Sequence, residues 1–216
     1  MKQFVGMTCA ALLVAASARA ADVDELVKQL KAGDSDTRRA AAKALYESGM
    51  EAKPALPALI KALKDDDLFV RRYSAQALGE LGSEAKPALK ELIAALKDPK
   101  KEVADAAAGA LAKVGPEGVA PLADILKDKK KDLSARKSAA AALGSIGKDV
   151  PKEAITALTD ALKDNEVRVP AVMALGELGP EAKSAVDSIN AILKDNKDRA
   201  FRSAANEALK KIQGKK

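Results

Sequence analysis

The chain has 216 residues, 48% of them hydrophobic and 31% charged, with 2% aromatic, one cysteine and no histidine. Its formal charge of +6 is dispersed, Lys alternating with Asp and Glu, and with so few stacking rings this argues against a nucleic-acid surface. Without histidine, and with its lone cysteine at Cys9, the sequence lacks imidazole bases and the usual zinc and iron ligand sets, so no catalytic, cofactor or metal site is expected.

Residues 1–20 differ from everything after them. Lys2 supplies a basic start, Phe4 to Ala15 an apolar run too short to span a bilayer, and Ala18-Arg19-Ala20 an A-x-A cleavage site. This reads as a secretory signal peptide cut after Ala20, with Ala16-Ser17-Ala18 as a second site, and it predicts a periplasmic or secreted protein. The mature chain, 21–216, then has no cysteine, no transmembrane segment and a net charge of +4.

From Asp22 onward one unit recurs, clearest from Glu51 to Gly82 and again from Glu84. In its first half Ala55, Leu56, Leu59, Ile60 and Leu63 have the spacing of an amphipathic helix, with Pro54 placed in the first turn. In its second half Val70, Ser74, Ala77, Leu78 and Leu81 do the same, and Gly82 ends the helix. Lys64-Asp65-Asp66-Asp67 is the turn between them, so the unit is an antiparallel helix pair. Leu30, Leu63, Leu96, Leu126, Leu162 and Leu193 close the first helices at spacings of 33, 33, 30, 36 and 31. Leu45, Leu78, Leu111, Leu143, Leu175 and Leu209 mark the second helices at 33, 33, 32, 32 and 34. The predicted fold is all-α, an α-solenoid of about six helix pairs forming one domain over 21–216.

The segments Asp65, Val70-Arg71, Ala77-Leu78-Gly79 and Asp164, Val167-Arg168, Ala174-Leu175-Gly176, with the fainter Ala135-Arg136 and Ala142-Leu143-Gly144, resemble the short HEAT repeats first grouped with phycobilisome bilin lyases. The resemblance covers Asp22 to Ile212. It implies a superhelical scaffold; similar repeats serve as scaffolds, inhibitors, lyase chaperones and oxygenases. The oxygenase relative, deoxyhypusine hydroxylase, holds iron with His-Glu motifs that have no counterpart here. The resemblance also implies that Arg38, Arg71, Arg136, Arg168 and Arg202, with Ala104 the exception, reach the turn aspartates of neighbouring repeats, among Asp65, Asp98, Asp128, Asp164 and Asp195. The same arginines read without it form a basic stripe for an anion. Lys31, Lys64, Lys97, Lys127, Lys163 and Lys194 end the first helices, where a cation suits the helix dipole. Asp34-Ser35-Asp36 and Asp65-Asp66-Asp67 lack the spacing and glycine of a calcium loop and read as solvated turns.

What remains is surface. Second-helix positions facing away from the core carry Arg39 and Lys43, then Arg72 and Gln76, and later Val169 and Met173, a face basic at one end and apolar at the other. Tyr73 beside Arg72 is either an interface anchor or filler between neighbouring helices, as is Met173. Phe69 stands where aligned units have Asp36, Glu102, Ser134 and Glu166; it reads as a lost cap residue, its ring either anchoring a partner or packing on its own turn. In the fifth unit the inter-helix turn is two residues shorter than in the second, with Pro170 in the opening helical turn. The reading is an exported, non-enzymatic scaffold for a protein partner, the alternative an accessory or ligand-binding subunit of an enzyme complex, bilin-lyase-like or other.

Overall fold

The computed structural model describes residues 22–214; the signal segment expected at 1–20 lies outside them. Residues 22–29 form α1. There follow α2 (Ser35–Glu47), α3 (Leu56–Ala62), α4 (Leu68–Glu80), α5 (Leu89–Ala95), α6 (Lys101–Val114), α7 (Pro116–Lys127), α8 (Leu133–Gly144), α9 (Lys152–Ala161), α10 (Arg168–Leu178), α11 (Val186–Asp195) and α12 (Arg199–Ile212). Odd-numbered helices open a repeat and even-numbered ones close it. No strand occurs among the described residues, and none of their helices is long and apolar enough to cross a membrane.

Each even helix packs on the next even helix, α2 on α4 through to α10 on α12, whereas among the described odd helices only α7 and α9 pack extensively across a junction. The even row is therefore the tighter one, the row that forms the inner face in solenoids of this kind. Small residues permit this approach. A Cβ on Gly79 would stand 3.1 Å from the Ala110 Cα, one on Gly144 2.7 Å from the Ala174 Cα and one on Gly176 2.9 Å from the Ala208 Cα. The Ala-Leu-Gly triplets therefore mark where one helix seats on the next. Leu45, Leu78, Leu111, Leu143 and Leu175 beside them are wholly buried.

Two sequence expectations need correction. Pro54 does not open an α-helix: Gly49–Ala55 is a 3-10 turn, as are Gly82–Ala88 and Gly179–Ala185, and the first α-helix of the second repeat begins at Leu56. The reason is local. Gly49, Gly82 and Gly179 take positive φ of 56°, 52° and 59° to end the preceding helix, and tighter i to i+3 bonding spans the corner. Nor has α4 lost its cap at Phe69. Asp67 is the N-cap, its carboxylate accepting from the Phe69 and Val70 amides at 2.8 and 3.2 Å, as Asp34 caps α2 and Asp132 caps α8.

Candidate functional site

The turns between odd and even helices are stapled by arginine. Arg38 donates Nε and Nη2 to the two oxygens of Asp65 at 2.8 and 3.1 Å, and Arg71 does the same to Asp98 at 2.7 and 3.1 Å. Each also donates Nη1 to two carbonyls of its own turn, Ala32 and Gly33 or Asp65 and Asp66. Arg136, only 2% exposed, donates to Asp164 at 2.7 Å, to Glu166 at 3.2 Å and to the Leu126 carbonyl. These forked, charge-assisted bonds join one repeat to the next. They consume three of the five arginines that a basic stripe would have needed.

The ladder is incomplete. Arg168 forms no ion pair with Asp195 among the described residues; its guanidinium lies 5.8 Å from the Phe201 ring centre and its buried Nε has no partner. The cause is register. α11 runs through Asp195, and the turn position falls on Asn196, whose Oδ1 accepts the Asp198 amide just as Asp65 accepts that of Asp67. The turn position thus offers Arg168 no carboxylate. Arg202, in the last repeat, donates to the Leu193 and Asn196 carbonyls. Asp128 has no arginine because α6 carries Ala104 at the rung position; it accepts the Lys130 amide at 3.0 Å and lies 3.7 Å from Lys131 Nζ.

On the inner face, the expected free cations are largely engaged. Arg39 donates Nε to Asp67 at 2.8 Å and Nη1 to Asp36 at 3.0 Å, a second bridge between the first two repeats, and Lys43 lies 3.4 Å from Glu47. The basic end is therefore locally neutralised. Instead, rings and guanidinium planes alternate there. Arg39 and Arg72 each lie 5.3 Å from the Phe69 ring centre, Arg72 is 4.7 Å from that of Tyr73, and Tyr73 stacks on Tyr46 at 6.3 Å. Phe69 stays 39% exposed within this stack. The sequence does not single out Tyr46, which occupies, after Leu45, the position that Gly79 holds after Leu78.

Gln76 borders a shallow recess of 320 Å³ with Tyr46 and α6, and its Oε1 is buried without a partner. Val169 and Met173, the latter 56% exposed, flank a 310 Å³ groove against α12. The structure thus does not bring the two ends of the proposed face together. Among the described residues no three acidic side chains gather as a metal site: Asp34 and Asp67 are spent on caps and Asp65 on Arg38.

A family model described as HEAT repeats matches residues 23–95 and 89–169. A comparison with curated proteins returned no match. Among solved structures, an engineered protein is 30% identical over 89% of this chain and 97% of its own, with a TM-score of 0.54. A designed armadillo repeat protein in complex with a (KR)4 peptide is 22% identical over 88% of this chain and 99% of its own, with a TM-score of 0.54. The complex of CpcE and CpcF of phycocyanin lyase from Nostoc sp. PCC7120 is 24% identical over 88% of this chain and 76% of its own, with a TM-score of 0.56.

Proposed function

The chain belongs to the HEAT-repeat family, and from that premise we propose that it is an exported, non-enzymatic scaffold that binds a protein partner on the inner face of its first two repeats. The observation that carries this is the stack Arg39, Phe69, Arg72, Tyr73 and Tyr46. Arginine and aromatic side chains dominate interface hot spots, and planes already held by their neighbours lose little freedom when a partner covers them. Because Arg39 is paired with Asp67, long-range attraction is weak and binding rests on contact. The designed armadillo protein and its peptide support such a use of a stacked-helix surface. Export rests on the Lys2, Phe4 to Ala15 and Ala18-Arg19-Ala20 pattern.

A second reading, an accessory subunit whose partner supplies the chemistry, draws on the phycocyanin lyase structure, itself a complex of two proteins. One experiment serves both. The wild type and Phe69→Ala are immobilised and challenged with the exported fraction. The expected result is a partner that dissociates faster from Phe69→Ala with little change in association rate. Equal lifetimes on both would move the contact surface elsewhere, and enzymatic activity found only in the captured complex would select the accessory reading.

A further inference from the structure

The arginine ladder has a gap, and the gap is hollow. In the second repeat Arg71 lies six positions after the turn acid Asp65, and in the third the same offset from Asp98 falls on Ala104. Where the arginine side chain is missing, a cavity of 490 Å³ opens between the turns of the third and fourth repeats. Its apolar lining is Leu96, Pro99, Ala104, Ile125 and Ala135. That volume is within the range of small-molecule sites, roughly 300–1,000 Å³.

The polar lining decides what fits. Both lining acids are already committed, Asp98 to the fork of Arg71 and Asp132 to the amides of Ser134 and Ala135 at the start of α8. Of the lining cations, Lys101 is paired with Asp105 and Lys131 lies by Asp128. Lys97 and Lys130 have no ion-pair partner among the described residues, and Ser134 also lines the cavity. A guanidinium entering here would meet ammonium groups and occupied carboxylates. An anion would meet two unpaired cations beside an apolar lining.

We propose that this cavity is a binding site for a carboxylate carried on a short apolar body, the carboxylate between Lys97 and Lys130 and the body against Ala104 and Ile125. Two sources share that chemistry, a free organic acid and the C-terminal residue of a peptide.

The test uses the whole mature chain and amide chemical-shift titration. Hexanoate is expected to shift the amides of Ala104, Ser134 and Ala135, with 1-hexanol and hexylamine binding at least about tenfold more weakly, the equivalent of one charge-assisted hydrogen bond. Lys97→Gln/Lys130→Gln is expected to weaken hexanoate by a similar factor, whereas Lys163→Gln, an exposed lysine of another turn, leaves it unchanged. Ala104→Arg refills the gap and is expected to abolish binding while its circular dichroism and melting midpoint show it folded. The peptide acetyl-Gly-Gly-Leu, with a free or amidated C-terminus, separates the sources: binding that needs the free carboxylate and exceeds hexanoate assigns a peptide, and weaker binding assigns a free acid. Absence of shifts with hexanoate, equal binding by Ala104→Arg or by the double lysine variant, or preference for hexylamine would overturn the proposal.

Discussion

Arg71 and Arg72 are adjacent on α4 but reach different partners, and their losses should differ. Arg71 is 13% exposed and its partner Asp98 8%, so removing the guanidinium strands a largely buried carboxylate. Arg71→Ala is expected to lower stability by about 1–3 kcal/mol in urea denaturation. Arg72 lies over Phe69 and Tyr73 without an ion pair, and Arg72→Ala should cost about 0.5–1 kcal/mol. The reverse order would show that the stack, not the ladder, holds these repeats together. A pH dependence follows from the same bonds. Burial pushes the Asp98 carboxyl up, but Arg71 and the Lys100 amide outweigh it and hold it below the ordinary value. Asp67 and Asp164 are held low chiefly by Arg39 and Arg136, helped by helix and turn amides. An acid whose folded pKa is depressed adds stability above its unfolded pKa of about 4, and this is lost as pH falls through the folded value. The melting midpoint should therefore drop below about pH 4. In Arg71→Ala the drop should be shallower; an unchanged slope would detach Asp98 from the effect.

At the scale of helices, the close seating of the even row predicts contrasting effects for two glycines. Gly144→Ala places its Cβ against the Ala174 backbone, which cannot swing aside, so α8 and α10 must separate; a loss of about 1–3 kcal/mol is expected. Gly109 lies within α6 with nothing within 4 Å of an added Cβ, and Gly109→Ala should stabilise by about 0.5–1 kcal/mol. Equal effects in thermal denaturation would refute the seating argument. The helix pairs were legible because leucines at helical spacing recur every 30 to 36 residues along the chain whatever else is substituted. The caps were less so: Asp34 and Asp67 lie two residues before the aligned positions Asp36 and Phe69, and only the backbone shows which acid accepts the amides. Asp195 was one residue out of place for a similar reason, since α11 continues through it and hands the turn to Asn196. The inner-face stack was half legible. Arg72 and Tyr73 stood in the periodic pattern, but the Arg39 bridge to Asp67 depends on side-chain reach between repeats, which spacing within one repeat cannot supply.

Over the whole molecule, stability in a solenoid is close to a sum over neighbouring repeats, so the weakest junction sets how the array opens. The first two junctions each carry a forked arginine, the first reinforced by Arg39 to Asp67 and the second by Gly79 against Ala110. The fourth has Arg136 to Asp164 and Gly144 against Ala174, and the fifth has Gly176 against Ala208 with Lys211 reaching Glu177. The third has Ala104 where the arginine belongs and Ala112 where the seating glycine belongs, and the open cavity lies along it; Ser138 to Asp105 is a hydrogen bond along its even row. Native-state hydrogen exchange in low denaturant should accordingly resolve two groups of amides, α2, α4 and α6 opening together and α8, α10 and α12 together, at different free energies. Ala104→Arg, which offers Asp128 a guanidinium and fills the hollow, should draw the two groups toward one opening reaction and steepen the denaturant dependence. Uniform exchange across α2 to α12 in the wild type would mean that α6, packed on both α7 and α8, holds the third junction as firmly as the others. With two blocks, the angle between the stacked aromatic face of the first repeats and the Met173 groove of the fifth can change at the third junction, where a ligand in the cavity would stiffen it.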